Sequence, residues 1–285
     1  MKSKIVIALC LALLIAVLYC NWKFEVVAIH PFYGNEHHEL KVMTWNVHCS
    51  NGANFERQRA IAELILKVDA DFVQLNEYNQ DSCKVVDSLL KKRYPFTEEY
   101  QSHQWLGDIF YSKRAMSNSG HVYIPIYGKA IQTIKATIAV ENDSVQLFGV
   151  HMMSNQNCSD IAENKSRSNN NKASYEQYKE SQISRCFQAD WTKEEVMKSK
   201  HPVIVMGDMN DFNLSKPLDV LCSSGLVDSW WEGGNGYGAT FHDGWMRLRI
   251  DHILHTDRLK LQNIKVIDTN LSDHNPVVAE FSVNN

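Results

Sequence analysis

Glycine and proline are scarce in this chain, 13 and 6 of 285 residues, and no segment repeats. A collagen-like repeat is excluded. An excess of basic charge is missing too: Lys and Arg total 29 against 33 Asp and Glu, for a net charge of −4. The first 23 residues hold three lysines and no acid, so the rest carries 26 basic groups against 33 acidic ones. Gripping long nucleic acid through its phosphates alone favours a basic face, and these totals advertise none. There is no Cys-x-x-Cys. Cys10 and Cys20 lie in one apolar run, and Cys49, Cys83, Cys158, Cys186 and Cys222 are scattered. No zinc site is read from them, and an odd number outside the run leaves at least one thiol unpaired. A second long apolar run is also missing, which excludes a transporter or channel. What remains is 44% hydrophobic and 22% charged, an ordinary globular balance. The length fits one large domain or two small ones, with a core that needs no staples.

The one apolar run, Ile5 to Cys20, has no charge and follows Lys2 and Lys4. It is longer than a usual signal-peptide core and slightly short for a membrane span. Tyr19 and Trp22 suit an interfacial belt, and the leading lysines favour a cytoplasmic start. Val17-Leu18-Tyr19 offers no small-residue cleavage site. Residues 1–23 are therefore expected to be an uncleaved signal anchor, 24–39 a spacer, and 40–285 the folded domain on the extracytoplasmic side. Cleaved secretion is the alternative, and a buried core helix is a third.

From Leu40 onward strands and helices take turns. Strands are expected over 40–46, 71–75, 109–111, 131–140, 145–151, 202–206, 249–255 and 277–283, helices over 55–68, 82–93, 174–199 and 217–223. Glu141-Asn142-Asp143 marks a hairpin. Residues 155–173 and Gly233–Gly238 read as loops, and Asn157 and Asn164 fit a glycosylation acceptor pattern.

Polar groups collect where these apolar strands end. Val42-Met43-Thr44-Trp45 runs into Asn46, Phe72-Val73-Gln74-Leu75-Asn76 into Glu77, and Leu147-Phe148-Gly149-Val150 into His151. Val203 to Gly207 runs into Asp208 with Asn210 beyond, Arg249-Ile250 leads to Asp251, and Ser272-Asp273-His274 precedes the last strand. A charge at the mouth of a buried strand needs a partner. Each position alone reads as a turn or loop residue, but six in one chain point to a shared cleft.

Thr44-Trp45-Asn46, Gln74-Leu75-Asn76-Glu77, Val150-His151, Gly207-Asp208-Met209-Asn210, Ile250-Asp251-His252 and Ser272-Asp273-His274, in that order, resemble the endonuclease/exonuclease/phosphatase superfamily. The resemblance spans residue 40 to the C-terminus. It implies an α/β fold, a four-layer sandwich of two mixed β-sheets flanked by helices, to which the N-terminal membrane-anchor helix is added. The chain departs from the family with Asn76 where Gln is commoner. The resemblance also implies a divalent-metal-dependent phosphoesterase. Mg²⁺ is expected, with Mn²⁺ or Ca²⁺ as alternatives, on Glu77 with Asn46 and Asp273 near it. His274 is the implied general base oriented by Asp251, Asp208 and Asn210 position water and phosphate, and His151 donates to a phosphate oxygen. Asp108 is the candidate for a second carboxylate against His151, with an exposed turn as the alternative.

Asp208 and Asn210 would point the same way on an extended segment, and His252 away from Asp251. Phe241 and Trp245 are placed in the pocket wall or the core, Trp230 and Trp231 in packing, and Arg247 and Arg249 in pairs with acids. A nuclease-type substrate is preferred. The alternatives are a phospholipid or inositol-phosphate head group, with the membrane met through the N-terminal helix, and a non-catalytic binding domain. A monomer is expected.

Overall fold

The computed structural model of this protein describes residues 10–19, 21, 27–30, 38–49, 54–103, 106–126, 129–155 and 171–283. The apolar strands are buried on both faces, and successive side chains go to different layers. In β1 (Leu40–Asn46), Leu40 and Val42 enter the core between two sheets, while Met43 and Trp45 face an outer helical layer. In β2 (Phe72–Tyr78), Phe72 points inward and Val73 and Leu75 outward. In β8 (Val203–Asp208), Ile204 and Met206 point inward and Val203 and Val205 outward. This double burial is why these runs are apolar without alternation.

One sheet also holds β3 (Phe96–His103), β4 (Leu106–Ser112), β13 (Leu259–Val266) and β14 (Val277–Val283), in the order β13-β14-β1-β2-β4-β3. The other holds β5 (Met116–Ile126), β6 (Lys129–Val140), β7 (Asp143–His151), β9 (Leu226–Asp228) and β12 (Asp251–Thr256), in the order β5-β6-β7-β8-β12-β9. β1 with β2, and β7 with β8, run parallel, whereas their other neighbours are antiparallel. A hairpin of β10 (Phe241–Asp243) and β11 (Met246–Leu248) stands apart. Helices α1 (Phe55–Val68) and α2 (Lys84–Leu90) cover the first sheet, and α3 (Asn171–Lys198) and α4 (Lys216–Cys222) the second. The short α5 (Ser229–Gly233) puts Trp230 into the inter-sheet core, with Trp231 packed against it. The expected α/β sandwich of two mixed sheets flanked by helices is therefore present.

Several strands lack a clear sequence signature. β3, β5, β9, β13 and the β10–β11 hairpin were not expected, and the strand foreseen over 109–111 extends from Leu106 to Ser112. The glycine segment after α5 is tied down rather than free: Gly236 pairs with Ala28, and Trp230 Nε1 donates to its carbonyl. That pairing also docks part of the expected 24–39 spacer onto the domain. Residues 10–19 are helical, with Leu13 and Ile15 exposed. No helix among the described residues is long and apolar enough to cross a membrane. The expected anchor over 1–23 lies partly outside the described residues, as do Asn157, Asn164 and most of the loop expected over 155–173.

Candidate active site

The inward phase of the strands builds the site. Counting by two from the core, the next inward position after Val42 and Thr44 is Asn46, and after Phe72 and Gln74 it is Asn76. After Ile204 and Met206 comes Asp208, and after Leu147 and Gly149 comes His151. Strand register then lines them up. Asn46 is level with Asn76 in one sheet, and His151, Asp208 and Asp251 form a row across three strands of the other. Asp251 begins its strand rather than ending it, but β12 runs antiparallel to β8 and so brings it to the same edge.

Two local devices make that edge possible. Gly207 has φ of +139°, and a Cβ there would lie 1.9 Å from the Val150 carbonyl oxygen, so only glycine lets β7 and β8 pair up to the site. Glu77 has φ of +51° beside a register shift between Leu75 and Tyr78. The bulge re-aims a residue whose phase would otherwise send it toward the helices. Asn210, at φ +50°, also departs from the expected geometry. Asp208 and Asn210 are not on an extended segment. The chain turns, Asn210 N donates to Asp208 Oδ1 at 2.8 Å, and its side-chain amide donates to the Met152 carbonyl at 2.9 Å.

At the centre, His274 Nδ1 lies 2.8 Å from Asp251 Oδ2, and His274 Nε2 lies 3.8 Å from Asp208 Oδ2. All three are buried. Burial disfavours the charged imidazole, yet Asp251, Asp208 and Asp273 outweigh it and raise His274 to about 10. Burial and the neighbouring Asp251 raise the Asp208 carboxyl, against the pull of His274 and His151.

His151 sits on the other side of Asp208, with Nε2 at 3.9 Å from Asp208 Oδ2 and Nδ1 at 3.7 Å from Asp108 Oδ1. Asp108 is thus buried against His151, and not an exposed turn acid. Burial works against a charged His151, but Asp108, Asp208 and Glu77 raise it overall. Asn76 ties the two halves together. Its Oδ1 accepts from Asp208 N at 3.0 Å, and its Nδ2 donates to Asp108 Oδ1 at 2.7 Å and to the Val150 carbonyl at 3.1 Å.

The remaining residues surround Asn46. Its Nδ2 donates to Glu77 Oε1 at 3.1 Å and to Asp208 Oδ2 at 3.0 Å. The Ser272 hydroxyl donates to the Asn46 carbonyl at 2.8 Å and lies 3.1 Å from Asp273 Oδ1, which brings the Ser272-Asp273-His274 turn onto β1. Burial raises Asp273, but His48, His274 and Ser272 more than offset it and bring the carboxyl down to about 2.

Glu77 and Asp273 supply the oxygen donors a hard divalent cation requires. Their carboxylates converge on one imidazole: His48 Nδ1 lies 3.6 Å from Glu77 Oε2 and 3.4 Å from Asp273 Oδ2. Two carboxylates facing one imidazole are an arrangement whose charge a cation would offset. Donor atoms of Asp208, Asp251 and His274 also lie within 4.8 Å of one another. In that trio His274 Nδ1 and Asp251 Oδ2 are engaged with each other.

Sequence reasoning missed three residues. Arg57 in α1 donates to the carbonyls of Val47, His48 and Leu271, clamping the loop after β1 to the turn that carries His274. The Thr240 hydroxyl accepts from Ile250 N and Asp251 N at 3.1 and 3.0 Å and so fixes the start of β12. His48 was passed over as well. Phe241 does wall the site, its ring 4.9 Å from that of His274, but Trp245 is 94% exposed at the hairpin tip, in neither the pocket wall nor the core. His252 points away as expected, its Nε2 2.9 Å from the Asp211 carbonyl. Arg249 pairs with Asp228 at 2.7 Å in the interior rather than at the surface.

Residues 43–274 match the profile of the Endonuclease/Exonuclease/phosphatase family. No functionally curated protein matches the chain. Among solved structures, truncated Caenorhabditis elegans TDP2 is similar at 19% identity and a TM-score of 0.60, over 85% of this chain and 96% of that one. The 3′ phosphatase NExo from Neisseria, bound to a product DNA hairpin, is similar at 19% identity and a TM-score of 0.64, over 85% and 99%. A family protein from Bacteroides thetaiotaomicron is similar at 18% identity and a TM-score of 0.65, over 85% and 97%. At these identities the likeness is one of fold.

Proposed function

The chain belongs to the endonuclease/exonuclease/phosphatase family, enzymes that hydrolyse phosphoric esters with a divalent metal, and from its site geometry we propose water-driven hydrolysis of a phosphoric ester by the residues gathered at this sheet edge. The observation that carries the reading is the buried Asp208–His274–Asp251 unit, set beside the Glu77–Asp273 carboxylates.

Glu77 and Asp273, with Asn46 next to them, would hold the cation. On oxygen donors alone it would be Mg²⁺, with Mn²⁺ or Ca²⁺ as substitutes. Such an ion neutralises a phosphate oxygen and stabilises charge on the leaving group. The chain's own residues handle the proton. Asp208 and His274 face each other across 3.8 Å and would orient the attacking water, with the Asp208 carboxylate receiving its proton, while Asp251 holds the imidazole through Nδ1. Asn210 would position the phosphate from its turn. His151, backed by Asp108, would donate to a phosphate oxygen or to the leaving oxygen.

For substrate we favour a nuclease-type phosphodiester or a nucleic-acid terminus. Two similar folds, NExo with its DNA hairpin and a D. rerio TDP2 with single-strand DNA product, support this preference. A lipid or inositol-phosphate head group is the second reading. It rests on the apolar side chains exposed on the helical residues 10–19, which need an apolar cover and would suit a membrane anchor with the domain outside the cytoplasm. The test offers plasmid DNA, single-stranded RNA, sphingomyelin vesicles and an aryl phosphodiester, with metal or EDTA. EDTA-sensitive cleavage, lost in an Asp208→Ala/His274→Ala double variant, is expected. Failure on all four by folded, metal-binding protein would leave a phosphoester outside these four or the non-catalytic binding domain.

A further inference from the structure

We propose that Cys49 and Cys83 form a covalent cross-link, a disulfide that staples the loop after β1 to the turn after β2. The bond is independent of the substrate and of the cation proposed above.

The two cysteines come from segments that β1 and β2 deliver side by side. Cys49 N donates to the Glu77 carbonyl at 3.0 Å, which carries the pairing of β1 with β2 beyond Asn46. Cys83 N donates to the Asn79 carbonyl at 2.7 Å, which closes the turn leaving β2. Both residues are fully buried in the apolar layer between the first sheet and its helices α1 and α2. There the two thiols are hydrogen-bonded to each other. Sulfurs in mutual reach are the precondition for bridging without a backbone shift.

Helix capping does not account for Cys83. It holds the N-cap position of α2, where an oxygen side chain normally receives a helix amide, yet it makes no capping hydrogen bond. Its sulfur serves Cys49 instead. Cys186 on α3 and Cys222 on α4 lie over the other sheet, and Cys10 is exposed on the N-terminal helical residues, so none of them competes for this pair. The loop that the bond closes contains α1 and all of β2, and its two ends flank the edge that carries Asn46 and Glu77. Full burial makes it a structural bridge rather than a surface switch.

The bond needs an oxidant, a low-molecular-weight disulfide such as glutathione disulfide. One protein thiolate attacks a sulfur of that disulfide and expels a first glutathione thiolate. The second protein thiolate attacks the mixed disulfide and expels the other. In sum one S–S bond breaks and one forms, the two cysteines are oxidised, and their protons leave on two glutathione thiols.

The test holds full-length protein, kept folded in one sample and refolded from urea in another, in a glutathione disulfide/glutathione mixture or in dithiothreitol. Free thiols are then alkylated in denaturant and the peptides mapped by mass spectrometry. The expected result is a Cys49–Cys83 linked peptide in the glutathione samples, and both cysteines alkylated in dithiothreitol. The bridged form should melt about 5–15 °C above the reduced one. That redox-dependent shift should survive Cys186→Ala/Cys222→Ala and vanish in Cys49→Ala/Cys83→Ala. Cys49 and Cys83 both alkylated in the glutathione samples, or either of them linked to another cysteine, overturns the proposal, and so does a Tm shift that persists in Cys49→Ala/Cys83→Ala. The mapping is made on the wild type, so it decides the matter even where a variant fails to fold.

Discussion

Replacing Asp251 by Asn keeps the shape of the side chain and removes its charge from the buried His274. The magnitude follows from the structure. His274 is raised from an ordinary 6.5 to about 10, with Asp251 Oδ2 2.8 Å from Nδ1 as its nearest anion. A shift of that size is about 5 kcal/mol favouring the imidazolium, after burial has been overcome, and both groups are too buried for solvent to screen much of it. Asp208 and Asp273 share the effect, with Asp251 the largest contributor among the anions. Nitrogen NMR of His274 in EDTA should therefore show its titration falling by about 2 units or more in Asp251→Asn, and turnover should drop on the order of 10³-fold or more. Stability should follow with a defined sign. A histidine raised in the folded state stabilises fully below 6.5 and loses that contribution as pH climbs toward 10. The wild type should lose stability over that window, and the variant should lose less. An unchanged His274 titration in Asp251→Asn would refute the pairing as the source of the shift and leave Asp208 as the dominant anion.

Other consequences concern the frame around the site. Asn76→Ala strands the Asp108 carboxylate and the Asp208 amide inside the protein, and should cost about 2–4 kcal/mol in denaturant unfolding besides lowering turnover. Gly207→Ala drives a Cβ into the Val150 carbonyl and should part β7 from β8, seen as soluble protein with a much lower Tm or none recovered at all. Burial would raise Asp228, yet Arg249 and His252 hold its carboxyl far below the usual range, so it stabilises the fold above about pH 4 and this is lost in acid. Asp228→Asn should cost about 3–5 kcal/mol at pH 7, and the gap to the wild type should narrow as pH falls.

Much of this was legible in the residues because two-sided burial leaves long apolar strands that end where the core ends. His151 and Asp208 are the first polar residues of the inward phase in their strands, Asn46 follows Thr44 in its own, and a buried polar group at such a place stands out. Glu77 was also legible, although its route to the site was not, since a bulge rather than strand phase aims it. Residues that act across the fold were hidden. Arg57 reads as an ordinary polar position of an amphipathic helix, and only tertiary packing shows it gripping Val47 and Leu271. Thr240 and His48 lie in segments without periodicity, so nothing local separates them from loop residues. Asn210 misled for a related reason: an apolar strand was extended in thought by two residues, where the side chain of Asp208 instead caps a turn.

The most direct test of the central claim is a single turnover in ¹⁸O-labelled water with divalent metal, on whichever phosphoester the substrate survey identifies. The account predicts ¹⁸O in the phosphoryl product and none in the leaving alcohol, abolished by EDTA and by His274→Ala. Label in the alcohol, or label incorporation that persists without metal or without His274, would contradict water attack directed by this site.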